Sequence, residues 1–356
     1  MLVYFVLIPI VLLFLRLSYS KKEGKRISYI PVFISALILI LFAGLRASSV
    51  GTDTNNYVGI YNSFSSYKGS VFDMQTSLEI GYLFLQKIAL LFSNEYWAIL
   101  IATALMSVLP FYYVINKLSY NEVLSLFIYI TLAVYLVFFN AGRQGIAVAI
   151  SSVSIIYLIK RSMFKYFACI IIASLFHNTA IILLPFYFLL TRKVTIKSTL
   201  LYLFGGLVSF AFLSVFLSFF SSDIEARYAV YEDRGATGGD LLAAFFVFLS
   251  LFLFIIRNKI SDKNLKMFEV YFNYCLFTSI IYIVVIFTGS DVNFIRLTNY
   301  FAIGYVLIWP IVFEDVEIFK SNIIKVMFVI IHLLFYGVYL NQMASLTPYS
   351  LNPLIF

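Results

Sequence analysis

The chain has 356 residues, of which 62% are apolar and 12% charged, against about a quarter charged in a soluble domain. That composition excludes a water-soluble fold. At about 20 apolar residues per span it leaves room for about ten crossings with short loops and for no separate soluble domain, so residues 1–356 read as one polytopic domain. The net charge of +8 is scattered singly between apolar runs and forms no continuous stripe, so no nucleic-acid partner is indicated.

Apolar runs fall near residues 1–15, 29–45, 97–115, 122–139, 145–159, 166–190, 198–220, 241–256, 268–288, 297–313 and 323–340. They predict an all-α transmembrane bundle. The first run has no basic residue before it and Arg16, Lys21, Lys22, Lys25 and Arg26 after it, the reverse of a cleavable signal, so it reads as a retained helix with its N-terminus outside. Basic clusters at Lys160, Arg161 and Lys165, at Arg192, Lys193 and Lys197, and at Arg257, Lys259, Lys263 and Lys266 mark further inside loops. Two of these clusters flank the run 166–190, which is too short for two full crossings. A re-entrant or short-armed hairpin keeps later loops on their expected sides, whereas a single tilted crossing would invert them. Residues 80–93, broken by Lys87, predict an interfacial helix on the outer face. Both termini are then outside.

In this topology the inside loops hold 18 of the 25 basic residues, and the outside holds Arg46, Lys68, Lys87, Arg143, Arg227, Arg234 and Arg296. Arginine is over-represented outside, where bidentate phosphate recognition would use it. Four constellations share that side. Gly44–Phe64 carries Arg46, Asp53 and Tyr57, with Asp53 or Thr54 either a helix N-cap or a functional group. Phe138–Ile150 opens a helix at Arg143 and Gln144, either an anion site built on a helix N-terminus or a snorkelling arginine. Leu175–Phe186 puts His177 and Asn178 at the tip of the predicted hairpin, where an ionisable group is a functional candidate set against a satisfied structural histidine. Gly289–Phe301 carries Asp291, Arg296 and Asn299, with Arg296 equally an anchor or a phosphate ligand.

Other features read more plainly. His332 lies in the last apolar run without polar neighbours and is read as structural. The segment with Asp223, Glu225, Arg227, Tyr228, Glu232, Asp233 and Arg234 is either a substrate-facing or a solvated loop. The acidic EDVE of Glu314–Glu317 reads as a solvated face. Cys169 and Cys275 sit in apolar runs and indicate neither a disulfide framework nor a zinc site. No P-loop, Rossmann glycine pattern, HExxH or GxSxG occurs.

Taken in order, GLRxxxxGTDTxxYxxxY (from Gly44), EIGY (Glu79–Tyr82), GRQGIA (from Gly142), LFHNTA (from Leu175) and RLTNYF (from Arg296) resemble the EpsG-like branch of Wzy-type polysaccharide polymerases. The resemblance implies a GT-C-like bundle in the bacterial cytoplasmic (inner) membrane. It implies a metal-independent, cofactor-free glycosyltransferase that joins undecaprenyl-diphosphate-linked oligosaccharide repeat units into O-antigen, capsule or exopolysaccharide. A flippase or transporter of such units, or an O-antigen-ligase-like transferase, is the rival reading. A flippase and a chain-length regulator of the pathway are the implied partners, besides membrane lipid. Catalysis is assigned to His177, ahead of Asp53, as base, and the diphosphate to Arg143 and Arg296, with Arg46 as a third candidate. Substrate binding falls to Arg46, Arg296, Gln144, Tyr57, Glu79, Tyr82, Asn178 and Asn299. The glycines flanking Arg143 and Gln144 predict a loosened helix start.

Overall fold

A computed structural model describes residues 1–20, 26–66, 78–220, 239–288, 292–342 and 345–353. The described residues are helical, with two isolated bridges, Tyr19 to Arg26 and Arg46 to Leu351, and no strand. The all-α class follows from the solvent: where water is absent, a helix satisfies its own backbone donors and acceptors. Five helices are long and apolar enough to cross a membrane, or six if the bent pair formed by Phe294–Tyr300 and Ile303–Asp315, with its 46° angle, is one span. Shorter apolar helices accompany them. The segments around Asp223–Arg234 and at Asp291, singled out above, lie outside the described residues.

The chain packs as two compact units, Met1–Tyr187 with Glu317–Phe356, and Phe188–Val316. The first contains α1 (Leu2–Leu17), α2 (Ile30–Gly44), α3 (Thr54–Ser65), α4 (Ile80–Leu90), α5 (Trp97–Leu118), α6 (Glu122–Thr131), α7 (Val137–Asn140), α8 (Gly142–Ile159) and α9 (Met163–Ser174). After α9 come a 3-10 turn over Asn178–Leu183 and α10, Phe186–Leu189. The second contains α11 (Ile196–Phe220), α12 (Gly239–Ile256), α13 (Asp262–Thr288), a 3-10 segment over Val292–Tyr300, and α14 (Ile303–Asp315). The chain then returns to the first unit as α15, Asn322–Gln342.

In the first unit α5 packs against α2 and α8, and α8 against α9. The face of α15 that carries Ile323, Val326, Ile330, Leu334 and Val338 is exposed, as a lipid-facing helix requires. His332 on the same helix is buried and satisfied by the Thr131 hydroxyl 2.8 Å from its Nδ1, in line with the structural reading.

In the second unit α13 lies between α12 and α14 and is mostly buried. Its polar groups close on each other: Ser250 and Ser279 hydroxyls are 2.7 Å apart, and the Tyr305 hydroxyl donates to the Cys275 carbonyl at 3.1 Å. Asp315 corrects the reading of EDVE as a solvated face. Its carboxylate accepts from the Ser261 N–H at 3.0 Å, the Ser261 hydroxyl at 2.8 Å and Asn264 Nδ2 at 2.9 Å, and so caps the start of α13 from a distant element. Glu317 does lie in solvent, paired with Lys320.

Residues 166–187 are not one continuous helix. The Tyr166 hydroxyl donates to the Leu183 carbonyl at 2.8 Å, and the Tyr166 and Tyr187 rings are 5.3 Å apart, whereas a straight helix would separate these positions by about 31 Å. The chain therefore doubles back at Leu175–His177. With Cys169 and Cys275 replaced by serine, cysteines at Tyr166→Cys and Tyr187→Cys should be joined by a short bismaleimide and recovered as an intrachain link in a digest. Thiols capped only singly would contradict the hairpin.

Candidate active site

Glu79 stands at the N-cap of α4 in extended conformation, and its side chain does not cap the helix. Its carboxylate is 7% exposed and reaches three groups from distant parts of the chain. One oxygen accepts from Nδ1 of His177 at 3.0 Å and from the Asn178 N–H at 3.4 Å. The other accepts from Nη1 of Arg143 at 2.5 Å. With Nδ1–H committed to the carboxylate, the imidazole tautomer is set and Nε2 is the acceptor nitrogen; among the described residues nothing bonds to it.

The electrostatics follow from this geometry. Burial pushes the Glu79 carboxyl up, but the His177 hydrogen bond and the Arg143 charge outweigh it and hold the group at about 2, below its ordinary 4.5. A depressed carboxyl stabilises the fold above the ordinary value, and that contribution is lost as pH falls from about 4.5 through about 2. At neutral pH Glu79 is an anion facing one fixed cation.

Three close approaches make the cluster possible. The Gly81 N–H donates to the Leu175 carbonyl at 2.8 Å, and a Cβ on Gly81 would lie 2.7 Å from that oxygen, so the hairpin tip can dock on α4 only against glycine. A Cβ on Gly145 would lie 2.3 Å from Cβ of Phe138, and one on Gly142 3.3 Å from the Tyr57 ring. The glycines around Arg143 and Gln144 thus tighten the start of α8, which corrects the prediction of a loosened one. The Arg143 guanidinium also lies close enough to the Tyr57 hydroxyl to interact with it electrostatically, and its Nε–H is buried without a partner among the described residues. Such a donor calls for an acceptor.

Tyr57 and Tyr82 meet edge to face, 5.7 Å between centroids. Together with Tyr61, Leu85, Ile99 and Ile146 they form the apolar floor beneath the cluster. Gln144 is buried and Asn178 is exposed.

Arg46 is placed differently. It is 1% exposed. Its guanidinium donates to the carbonyls of Ala43 (2.5 Å) and Val50 (3.3 Å) and to the Thr54 hydroxyl (3.3 Å), and stacks over Phe139 at 4.4 Å. Thr54 in turn donates to the Val50 and Phe139 carbonyls, and the Thr52 N–H to Asn140 Oδ1 at 2.9 Å. Gly51, at φ 98°, permits the turn. The GLR…GTDT motif is therefore a folded knot that ties α2 and α3 to the end of α7. Asp53 is half-buried at the head of α3 and does not cap it; its carboxylate shares no hydrogen bond with Glu79, His177 or Arg143. Arg296, exposed, and Asn299, half-buried, belong to the second unit.

Sequence reasoning gave Glu79 a subsidiary place and gave Gly81 none. The available signal was a lone carboxylate opening an amphipathic helix, with a glycine two positions on. Among the described residues no three His, Cys, Asp or Glu side chains gather as a metal cage would require.

The molecule is thus a helical membrane protein with a carboxylate-bridged histidine–arginine cluster in its first unit. It belongs to the EpsG family, whose profile matches residues 29–351. It is similar to the amylovoran biosynthesis protein AmsC of Erwinia amylovora, with 26% identity over 181 residues, 49% of this chain and 48% of that protein. The match thus spans about half the length of that relative. No solved structure matches the chain.

Gly81→Ala should push Leu175 away and expose the amide at position 81. Hydrogen exchange should be faster there and at Asn178 than in the unaltered protein, with α5 unchanged; unaltered exchange at both sites would show that the tip does not dock through this contact.

Proposed function

We propose that the protein is a metal-independent glycosyltransferase that polymerises undecaprenyl-diphosphate-linked oligosaccharide repeat units at the outer face of the bacterial cytoplasmic membrane. The observation that carries the proposal is the Glu79 carboxylate holding His177 and Arg143 together. Membership of the EpsG family and similarity to a protein named for amylovoran biosynthesis support it.

In this reading His177 Nε2 takes the proton from the acceptor hydroxyl, and Glu79 stabilises the imidazolium that forms. The acceptor oxygen bonds to the anomeric carbon as the bond from that carbon to the diphosphate oxygen breaks. The electron pair leaves with the diphosphate, and the free donors of Arg143 neutralise it. Tyr57 and Tyr82 set the height of Arg143, and Arg46 is a positioning residue for the loop that carries Asp53 and Tyr57. Asp53 contributes to the acceptor site, and Gln144 and Asn178 to sugar recognition. Arg296 and Asn299 are assigned a phosphate contact on the second unit in their own right. A flippase supplying the units and a chain-length regulator limiting the product complete the proposed pathway.

Purified protein given the lipid-linked repeat unit alone should yield a ladder on a gel. His177→Ala should slow elongation by about 10²–10⁴-fold, and Arg143→Lys, which keeps the charge but loses the fork, by about 10²-fold. An intact protein that yields no ladder, or a His177→Ala protein of full activity, would contradict the proposal.

A further inference from the structure

Away from the Glu79 cluster, a cleft of about 960 Å³ opens between α1, α15 and the start of α6. Its long walls are apolar: Phe5, Pro9 and Leu12 on one face of α1, and Val329 and Leu333 on α15. At one end α1 and α15 close on each other, with the Phe5 and Tyr336 rings 5.7 Å apart and Gly337 bringing its backbone beside Phe5. At the other end the lining turns polar, with Arg16 in the last turn of α1, Tyr19 just beyond it and Glu122 from α6. From Phe5 to Arg16 is about 17 Å along the helix.

The charges at the polar end are not equivalent. Glu122 is already neutralised: it pairs with Arg26 and accepts from Asn116 Nδ2 at 3.2 Å, while Tyr19 accepts a hydrogen bond from Arg26 at 2.8 Å. Arg16 is exposed and makes no side-chain hydrogen bond or ion pair among the described residues. The cleft therefore runs from a closed apolar end to an uncompensated guanidinium. The helices that build it present apolar outer faces, including Val6, Ile10 and Leu13 on α1 and Ile330 and Leu334 on α15, so it opens among hydrocarbon chains. An apolar trough with a cation at its mouth is complementary to an amphiphile with an anionic head.

The geometry points to a binding site for one anionic phospholipid molecule, its phosphate on Arg16 and an acyl chain in the trough between α1 and α15. The site lies apart from the Glu79 cluster and does not depend on the proposed reaction. Bound lipid would fill the gap that α1 and α15 leave, and so fasten the first helix to the last.

Native mass spectrometry of the delipidated full-length chain, titrated with phosphatidylglycerol and with phosphatidylcholine of the same acyl chains, tests this. One phosphatidylglycerol should bind about tenfold more tightly than phosphatidylcholine. Arg16→Gln should abolish the preference, Arg16→Lys should keep most of it, and Leu12→Trp, which fills the trough, should weaken both lipids. The lysine variant separates loss of the charge from loss of the fold. Equal binding of the two lipids, a preference that persists in Arg16→Gln, displacement by inorganic phosphate at the same concentration, or a chain dimer dissolved by Leu12→Trp would each overturn the proposal.

Discussion

The Glu79 carboxylate is the constraint on which the rest of the site depends. A histidine and an arginine, 98 and 64 residues away in sequence, converge on its two oxygens. One negative charge, almost out of solvent, does three things at once. It fixes the tautomer of His177, holds the Arg143 guanidinium at the start of α8, and takes the first N–H beyond the hairpin tip. Removing it would leave Arg143 half-buried without a counter-charge, which costs far more than an intact pair contributes.

The scaffold around that carboxylate is built to bring backbone close to backbone. Gly81 admits the Leu175 carbonyl, Gly145 admits the Phe138 side chain, and Gly142 lets the Tyr57 ring lie beside α8. The buried Arg46, bonded to the carbonyls of Ala43 and Val50 and to Thr54, secures the loop from which α3 and Tyr57 project. The motif residues thus divide by task. EIGY, GRQGIA and LFHNTA meet at the cluster, whereas GLR…GTDT holds the frame, and RLTNYF belongs to the second unit.

Composition alone carried the class, because a chain so poor in charge has no soluble solution. The doubling back at Leu175–His177 was legible in the two basic clusters that flank a run too short to cross twice. The different fates of Arg46 and Arg143 were not legible. Both stand beside glycines at the end of an apolar run, and what separates them is tertiary: Phe139 and Thr54 close over Arg46, while Arg143 keeps an unbonded Nε–H and partial exposure. Asp315 was misread for a similar reason, since its donors, Ser261 and Asn264, lie more than 50 residues away. The weight of Glu79 was hidden because all three of its partners are non-local.

The central claim is that Glu79 acts through His177, and a double-mutant cycle on elongation rate tests it most directly. Rates would be measured for Glu79→Gln, His177→Ala and the double variant, each below its own unfolding temperature, since loss of the charge lowers stability. Because the carboxylate orients the imidazole and also holds Arg143, the double variant is slower than His177→Ala, but by much less than the two single losses multiplied. Losses that multiply would show that Glu79 and His177 act independently, and would contradict the account.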